Sequence, residues 1–181
     1  INGGIIKSWD SNARLGSGDW MVVEADESDG SFTKFSPTVA IVTNIDKEHL
    51  DFHKNFKNLE NSFQKFVSSI PFYGFKVLCI DHPIVQKLIA LNKDRKLITY
   101  GKSVNADIRA VNIRFSKKCM VFDINFSSKI NVKSKQWKNI VLPMLGDHNI
   151  LNCLASISVA TEMGIKKNII LKCLKEFKGI K

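Results

Sequence analysis

The sequence lacks several features that mark whole classes of proteins. Its four cysteines include no C-x-x-C pair, which argues against a structural zinc site. We interpret them as buried, reduced thiols of a cytosolic protein; they are Cys79, Cys119, Cys153 and Cys173. No apolar run approaches the ~18 residues of a membrane span, and no basic start with an apolar core suggests a signal peptide. We therefore expect a cytoplasmic protein with no membrane partner.

Two further absences narrow the ligands that the chain could bind. No G-x-x-x-x-G-K-[ST] sequence occurs, so no loop is visible that could cradle the phosphates of a nucleotide. The net charge is +10, but the lysines are spread along the chain rather than clustered. A nucleic-acid interface needs a concentrated basic surface. We therefore expect no nucleic-acid partner, and tight, salt-sensitive DNA binding would be needed to support one.

The first hundred residues alternate between strand and helix patterns. The chain is 44% hydrophobic and its 181 residues suit one domain with a sizeable core. Short continuous apolar runs predict buried strands at residues 20–25, 39–43, 76–80 and 96–100. Apolar residues at helical spacing predict a helix over residues 58–70 and another from Pro83 onward. This alternation indicates an α/β fold, a mostly parallel sheet flanked by helices.

The rest of the chain first changes pattern and then returns to helix. Residues 108–113, 119–126 and 130–132 alternate apolar with polar side chains, which predicts a small antiparallel portion at the edge of the sheet. Helical spacing resumes over residues 149–162 and 167–177. The predicted sheet is therefore mixed.

An acidic loop, residues 24–29 with the sequence EADESD, follows the first predicted strand. Ligand sites of open α/β sheets lie at the carboxyl ends of the strands. The four carboxylates of the acidic loop repel one another unless a cation or hydrogen-bond donors balance them, and Mg²⁺ with a bound phosphate is a natural partner. A solvated acidic turn is the alternative, and the residue types alone favour neither.

A histidine follows the second predicted strand, in the sequence TNIDKEHLD at residues 43–51. If the two strands are neighbours in a parallel sheet, His49 could reach the same metal centre as Glu24. Asp46 or Asp51 could then orient the imidazole ring. A surface histidine beside a helix start is the alternative. To that alternative we assign His53 and His82.

Two asparagines lie at the start of a predicted helix, in the sequence GDHNILN at residues 146–152. Because Asn149 and Asn152 are three residues apart, they face the same way. A side-chain amide offers both a donor and an acceptor, which suits the edge of a purine. Helix capping by Asp147 or Asn149 is the alternative, although capping would explain only one residue of the motif.

Taken in order, these motifs resemble those of the Mur ligases, and among them the UDP-N-acetylmuramate–L-alanine ligase family. The matching stretches are EADESDGSF at residues 24–32, VTNIDKEHLD at 42–51, IPFYG at 70–74 and GDHNILN at 146–152. NGG at residues 2–4 and ARLG at 13–16 fit as well. The resemblance runs nearly from end to end of the chain.

The resemblance implies a role for the residues of each motif. Glu24 and His49 would be the catalytic residues and would hold Mg²⁺ at the γ-phosphate of ATP. Asn149 and Asn152, with His148 nearby, would bind the adenine of that ATP. The implied cofactors are therefore ATP and Mg²⁺.

The resemblance also implies a reaction. ATP phosphorylates the carboxylate of UDP-N-acetylmuramate, and the amine of L-alanine then attacks the acyl phosphate and releases inorganic phosphate. Asp26 and Ser28 would lie close to the muramyl substrate. Phosphoryl transfer depends mainly on positioning and on neutralising charge.

We expect residues 1–181 to be the central, ATP-binding domain of such a ligase in truncated form. The phosphate loop, the N-terminal UDP-binding domain and the C-terminal domain would lie outside it, so the isolated chain is expected to be inactive. A murein-peptide-recycling ligase is one alternative, which the spelling DESD at residues 26–29 and the segment FYG at 72–74 disfavour. A non-catalytic nucleotide-binding module is another.

Overall fold

Six strands form one mixed sheet whose spatial order follows the chain order. The computed structural model describes residues 1–116 and 118–181. The strands are β1 (Val39–Val42), β2 (Phe75–Cys79), β3 (Leu97–Gly101), β4 (Ile108–Ser116), β5 (Cys119–Phe126) and β6 (Gln136–Leu142). The helices are α1 (Leu50–His53), α2 (Phe56–Ser68), α3 (Pro83–Leu91), α4 (Asp147–Glu162) and α5 (Lys167–Glu176), with a 3-10 helix at Ser31–Lys34. Strands β1 to β4 pair in parallel and β4 to β6 pair antiparallel, which confirms the predicted fold class.

Helices cover both faces of the parallel strands. All five residues of β2 are buried, as expected for a parallel strand packed on both sides. Successive side chains of a strand point to opposite faces, so Val77 joins the apolar cluster that includes Ile150 and Leu154 of α4. Leu78 joins the second cluster, on the α2 and α3 side, with residues such as Val67. Each fully buried Leu, Ile or Val side chain stabilises the fold by roughly 1.5–3 kcal/mol.

Local sequence signals explain where the helices begin. The Asn55 side chain accepts a hydrogen bond from the backbone N–H of Asn58 at 2.9 Å and so caps α2. Pro83 occupies the first turn of α3, where its missing N–H costs nothing. The predicted helices at these two places are confirmed, with bounds shifted by a few residues.

An irregularity in the antiparallel portion is held by one carboxylate. The pairing register shifts between Val111 and Arg114 in β4 and again in β5 near Asp123. Asp123 accepts hydrogen bonds from the Asn112 side chain and from the backbone N–H of Asn139, both at 2.8 Å. Both asparagines have positive φ, a conformation that asparagine tolerates better than most residues. The hydrogen bond from Asn112, followed by that from Asn139, lowers the pKa of the Asp123 carboxyl.

Two predicted strands are wrong. Residues 20–25 form no strand, and Met21 and Val22 are largely exposed. This segment exchanges backbone hydrogen bonds with Ile1 instead of with β1, so its apolar side chains have no sheet to pack against. Residues 130–132 form a turn, and the third antiparallel strand is β6. The positive φ of Asn139 interrupts the alternation of β6, so the period-two pattern that predicts strands is broken there.

All four cysteines lie in the described part of the chain and are free thiols. Cys79 and Cys153 are buried, as predicted, whereas Cys119 is half-buried and Cys173 exposed. Burial raises the pKa of the Cys79 thiol and raises the pKa of Cys153 to about 12. Among the described residues, no helix has both the length and the apolar character that crossing a bilayer requires.

Candidate functional site

Polar side chains gather where the parallel strands end. Residues 43–46 follow β1, residues 81–82 follow β2, and Lys102 follows β3. Because the three strands are parallel neighbours, these segments meet at one end of the sheet. We refer to this region as the carboxyl end of the sheet. It is where ligands bind in open α/β sheets.

A chain of hydrogen bonds crosses the carboxyl end from β1 to β2. The Thr43 hydroxyl donates to Oδ1 of Asn44 at 2.8 Å, and Nδ2 of Asn44 donates to Oδ2 of Asp46 at 2.7 Å. The other oxygen of Asp46 lies 3.4 Å from Nε2 of His82. Asp46 therefore contacts His82 rather than His49, which was its predicted partner. His82 does lie at a helix start, as predicted, but it also contacts Asp46.

The acidic loop folds back on its own backbone. Oδ1 of Asp26 accepts from the backbone N–H of Ser28 at 2.8 Å, and Oδ1 of Asp29 accepts from that of Ser31 at 2.9 Å. Hydrogen bonds from Ser28 lower the pKa of the Asp26 carboxyl, and those from Ser31 lower the pKa of Asp29. Both carboxylates are thus kept charged without being buried, so each retains an oxygen that can face a ligand.

Two buried rings fix the acidic loop against the helices. Phe32, 2% exposed, packs its ring against Phe63 and Phe66 of α2, with centroids 5.0 and 5.4 Å away. Nε2–H of His53 donates to the backbone carbonyl of Glu27 at 2.7 Å. His53 is 5% exposed, so its assignment as a surface histidine is wrong. The helix-start pattern could not reveal this, because the partner of His53 is a carbonyl 26 residues away.

A glycine makes the close approach of these two segments possible. Gly30 has φ of 68°, and a Cβ added to it would lie 2.7 Å from the Phe52 ring. Any other residue would be strained by its backbone and would also displace the Phe52 ring. The acidic loop and the segment that carries His49 are therefore held together by backbone geometry as well as by His53.

Glu27, Glu48 and His49 form a cluster that could hold a divalent cation. Their ligand atoms all lie within 4.8 Å of one another. Carboxylate oxygens are the ligands that Mg²⁺ and Mn²⁺ prefer, and imidazole suits transition metals such as Zn²⁺. Glu24 is not a member of this cluster, since its Oε2 accepts a hydrogen bond from the backbone N–H of Gly3 at 2.6 Å. The structure thus brings His49 next to Glu27 rather than next to the predicted Glu24.

A cavity of about 130 Å³ adjoins the cluster through Glu27. Residues 41–44 at the end of β1 form one wall, and the rings of Phe32, Phe63 and Phe66 form another. The cavity is small beside the 300–1,000 Å³ typical of ligand sites. The acidic loop therefore leaves open space directly beside the end of β1.

The asparagine motif lies at the first turn of α4. The helix begins after Gly146, the N-cap residue, which has a non-helical φ of 102°. No side chain caps the helix. The alternative of capping by Asp147 or Asn149 is therefore wrong. Nδ2 of Asn149 donates to the carbonyl of Leu145 at 2.7 Å, which fixes the amide plane and leaves its oxygen free to accept. Asn152 and His148 are exposed.

Sequence reasoning missed the residues that join these parts. Asp81 follows β2 and accepts hydrogen bonds from the backbone N–H groups of Lys102 and Ser103 at 2.7 and 2.9 Å. Nζ of Lys102 in turn lies 2.6 Å from Oδ2 of Asp147, the first residue of α4. The same rule that singled out the acidic loop, a polar residue directly after a buried strand, would have found Asp81 and Lys102.

The comparisons with known proteins place this chain in a family. A family model described as the Mur ligase middle domain matches residues 11–160. The chain therefore belongs to the Mur ligase family, of which it carries the middle domain. Among its curated relatives is the UDP-N-acetylmuramate–L-alanine ligase of Bartonella quintana (strain Toulouse), 51% identical over all 181 residues. The chain spans 38% of the length of that relative.

Solved structures agree on the fold. The UDP-N-acetylmuramate-alanine ligase of Thermotoga maritima superposes with a TM-score of 0.80 at 26% identity, covering 98% of this chain and 38% of that one. A UDP-N-acetylmuramate:L-alanyl-gamma-D-glutamyl-meso-diaminopimelate ligase from Neisseria meningitides gives a TM-score of 0.79 at 20% identity, with 99% and 57% covered. At that identity the second likeness speaks for the fold alone.

Proposed function

We propose that this chain is the ATP-handling part of a cytoplasmic enzyme that joins L-alanine to UDP-N-acetylmuramate in peptidoglycan precursor synthesis. The observation that carries the proposal is that two different sets of polar residues lie at the carboxyl end of the sheet. A carboxylate–histidine cluster lies beside β1, and the asparagine motif at the start of α4 is tied to the end of β3 through Lys102. A metal-bound triphosphate and a purine need such groups at opposite ends of one ligand.

Magnesium fits the residues at the acidic loop. The cluster offers two carboxylates and one imidazole, and Mg²⁺ commonly takes one or two carboxylates while the phosphates and water complete its shell. When bound, Mg²⁺ neutralises charge on the transferring phosphoryl group. We propose that His49 and a carboxylate of the acidic loop hold it, with Glu24 and Glu27 as the two candidates for that carboxylate.

The other site residues keep their proposed roles. Asn149 and Asn152 would hydrogen-bond the adenine, with His148 beside them. Asp26 and Ser28 would face the muramyl substrate. The Asn149 amide is already fixed by Leu145, so adenine binding would cost little further side-chain entropy.

The reaction supported by this arrangement has two steps. An oxygen of the substrate carboxylate attacks the γ-phosphorus of ATP and ADP leaves. The alanine amine then attacks the acyl carbon, so that an amide forms and inorganic phosphate departs. The role of this chain would be to fix the nucleotide at both ends and to keep negative charge balanced, which is most of what phosphoryl transfer needs from a protein.

Phosphate release by the full-length protein that carries this chain tests the proposal. Release should require ATP, UDP-N-acetylmuramate and L-alanine together, and His49→Ala should lower kcat by about 100-fold or more while the fold stays intact. Comparing Glu24→Gln with Glu27→Gln then decides which carboxylate acts. Nucleotide binding without turnover would point to a non-catalytic module. A requirement for a peptide in place of L-alanine would point to the recycling ligase.

We expect the isolated chain not to carry out the ligation. The full phosphate site is expected to need a loop that residues 1–181 do not contain. Detecting ATP-dependent alanine ligation with the purified chain alone would overturn that part of the proposal.

A further inference from the structure

Strand β3 and helix α4 are tied together at both ends by ion pairs. The helix packs against the strand and runs antiparallel to it. Lys102, directly after β3, pairs with Asp147, the first residue of α4, at 2.6 Å. Lys96, directly before β3, pairs with Glu162, the last residue of α4. The two ion pairs are chemically alike, but only the first lies beside the asparagine motif.

The backbone of Lys102 is held on both sides. Its N–H donates to Oδ2 of Asp81 at 2.7 Å, and its carbonyl accepts from Nε of Arg109 at 3.0 Å. A Cβ added to Gly101 would lie 2.3 Å from Oδ1 of Asp81, so the carboxylate sits tightly against the turn. Lys102 is therefore a fixed point on the sheet from which its side chain reaches the helix.

Ile150 anchors the start of α4 in the core and Asn149 bonds to the carbonyl of Leu145, but the polar ties of this first turn are few. No side chain caps its first turn, and the N-cap is a glycine, which leaves more backbone freedom than any other residue. Asp147 lies at the positive end of the helix dipole, where a carboxylate is favoured, and its hydrogen bond raises the pKa of the Lys102 ammonium. This ion pair joins the first turn of α4 to the end of β3.

We propose that Lys102 is a positioning residue for nucleotide binding, acting through Asp147 to hold the first turn of α4 and with it Asn149. Asn149 lies two residues after Asp147, so a shift of the first turn moves its amide directly. The inference rests on the proposed function, because it takes Asn149 to be an adenine ligand. The side chains of Lys102 and Asp147 are 41% and 62% exposed. An ion pair this exposed adds little to global stability. Its effect should therefore be local.

The test compares Lys102→Met with the matched control Lys96→Met. In the chain without nucleotide, hydrogen exchange of the backbone amides at residues 150–153, which bond to the carbonyls of the first turn, should accelerate about three- to tenfold in Lys102→Met and stay unchanged in Lys96→Met. In the full-length protein, the Kd for ATP should rise about three- to tenfold for Lys102→Met only. Lys102→Arg should restore most of the affinity. The unfolding midpoint should match that of the control.

Measuring the Kd for ATP of Asn149→Ala alongside distinguishes the other outcomes. If Asn149→Ala weakens ATP binding but Lys102→Met does not, the positioning role is overturned and the proposed function stands. If neither substitution changes the Kd, or the unsubstituted protein does not bind ATP, the proposed adenine site fails and the inference fails with it. Equal losses for Lys96→Met and Lys102→Met would show a merely structural effect and would also overturn the inference.

Discussion

Carboxylates serve different ends in the two halves of the sheet. At the edge of the antiparallel half, where β4 meets β3, Asp107 is 4% exposed and accepts hydrogen bonds from the backbone and hydroxyl of Thr99 and from the hydroxyl of Ser127. At the carboxyl end of the parallel half, Asp26 accepts from a neighbouring backbone N–H and is exposed. A buried carboxylate with all its partners within the fold stabilises that fold, whereas an exposed one with a spare oxygen is available to a ligand.

The largest effect on stability should come from removing the buried carboxylate. Asp107→Ala leaves the backbone N–H of Thr99 buried without its partner, and we expect the free energy of unfolding to fall by about 2–3 kcal/mol. Urea unfolding of the chain measures this change. Asp26→Ala is the matched control and should change stability by less than ~0.5 kcal/mol. Equal losses for the two variants would contradict the distinction between the halves.

Acid should weaken the antiparallel half through the same residue. Burial raises the pKa of the Asp107 carboxyl, but hydrogen bonds from Thr99 and Ser127 and the charge of Lys129 outweigh burial, and the net pKa is lowered. A lowered pKa in the folded state stabilises the protein above the unfolded value of about 3.9, and this stabilisation is lost as pH falls through the folded pKa.

The stability difference between the unsubstituted chain and Asp107→Asn reports this contribution. It should be constant from pH 7 to about pH 5 and should shrink as the pH falls below about 4. Urea unfolding at several pH values provides the measurement. A difference that stays constant or grows on acidification would mean that Asp107 is not held in its charged form by the fold.

The smallest effect on stability should come from the acidic loop. Glu27→Gln keeps the size of the side chain and its backbone contact with His53, so unfolding should change by less than ~0.5 kcal/mol. If Glu27 rather than Glu24 is the carboxylate that holds the metal, the affinity for Mn²⁺ in the presence of ATP should nevertheless fall, because a carboxylate ligand becomes an amide. Titration calorimetry separates the two effects, and a large loss of stability with unchanged Mn²⁺ affinity would reverse the assignment of this residue.

The sequence predicted the parallel half of the fold well and its connections less well. Continuous apolar runs identify β1, β2 and β3 because helices bury both faces of these strands. The run at residues 20–25 looks the same but has no sheet neighbour in the structure. The hydrophobic pattern of a sequence shows how apolar a segment is, but it does not show whether a partner strand is present.

The site was predicted as a set of motifs but not as a geometry. The acidic loop, His49 and Asn149 stood out because each follows a predicted strand or opens a predicted helix. The choice between Glu24 and Glu27, the burial of His53 and the ion pair of Lys102 depend on contacts between segments far apart in the chain. No local pattern encodes such contacts, so the structure was needed to find them.

Ligand binding should be confined to the carboxyl end of the parallel strands. Paramagnetic line broadening by Mn²⁺ with ATP, measured on backbone amides of the isotope-labelled full-length protein, tests it directly. Broadening is expected at residues 24–29 and 43–53, with weaker effects at 146–152 and none over β4, β5 and β6. Broadening centred on the antiparallel strands, or unchanged broadening in His49→Ala, would contradict it.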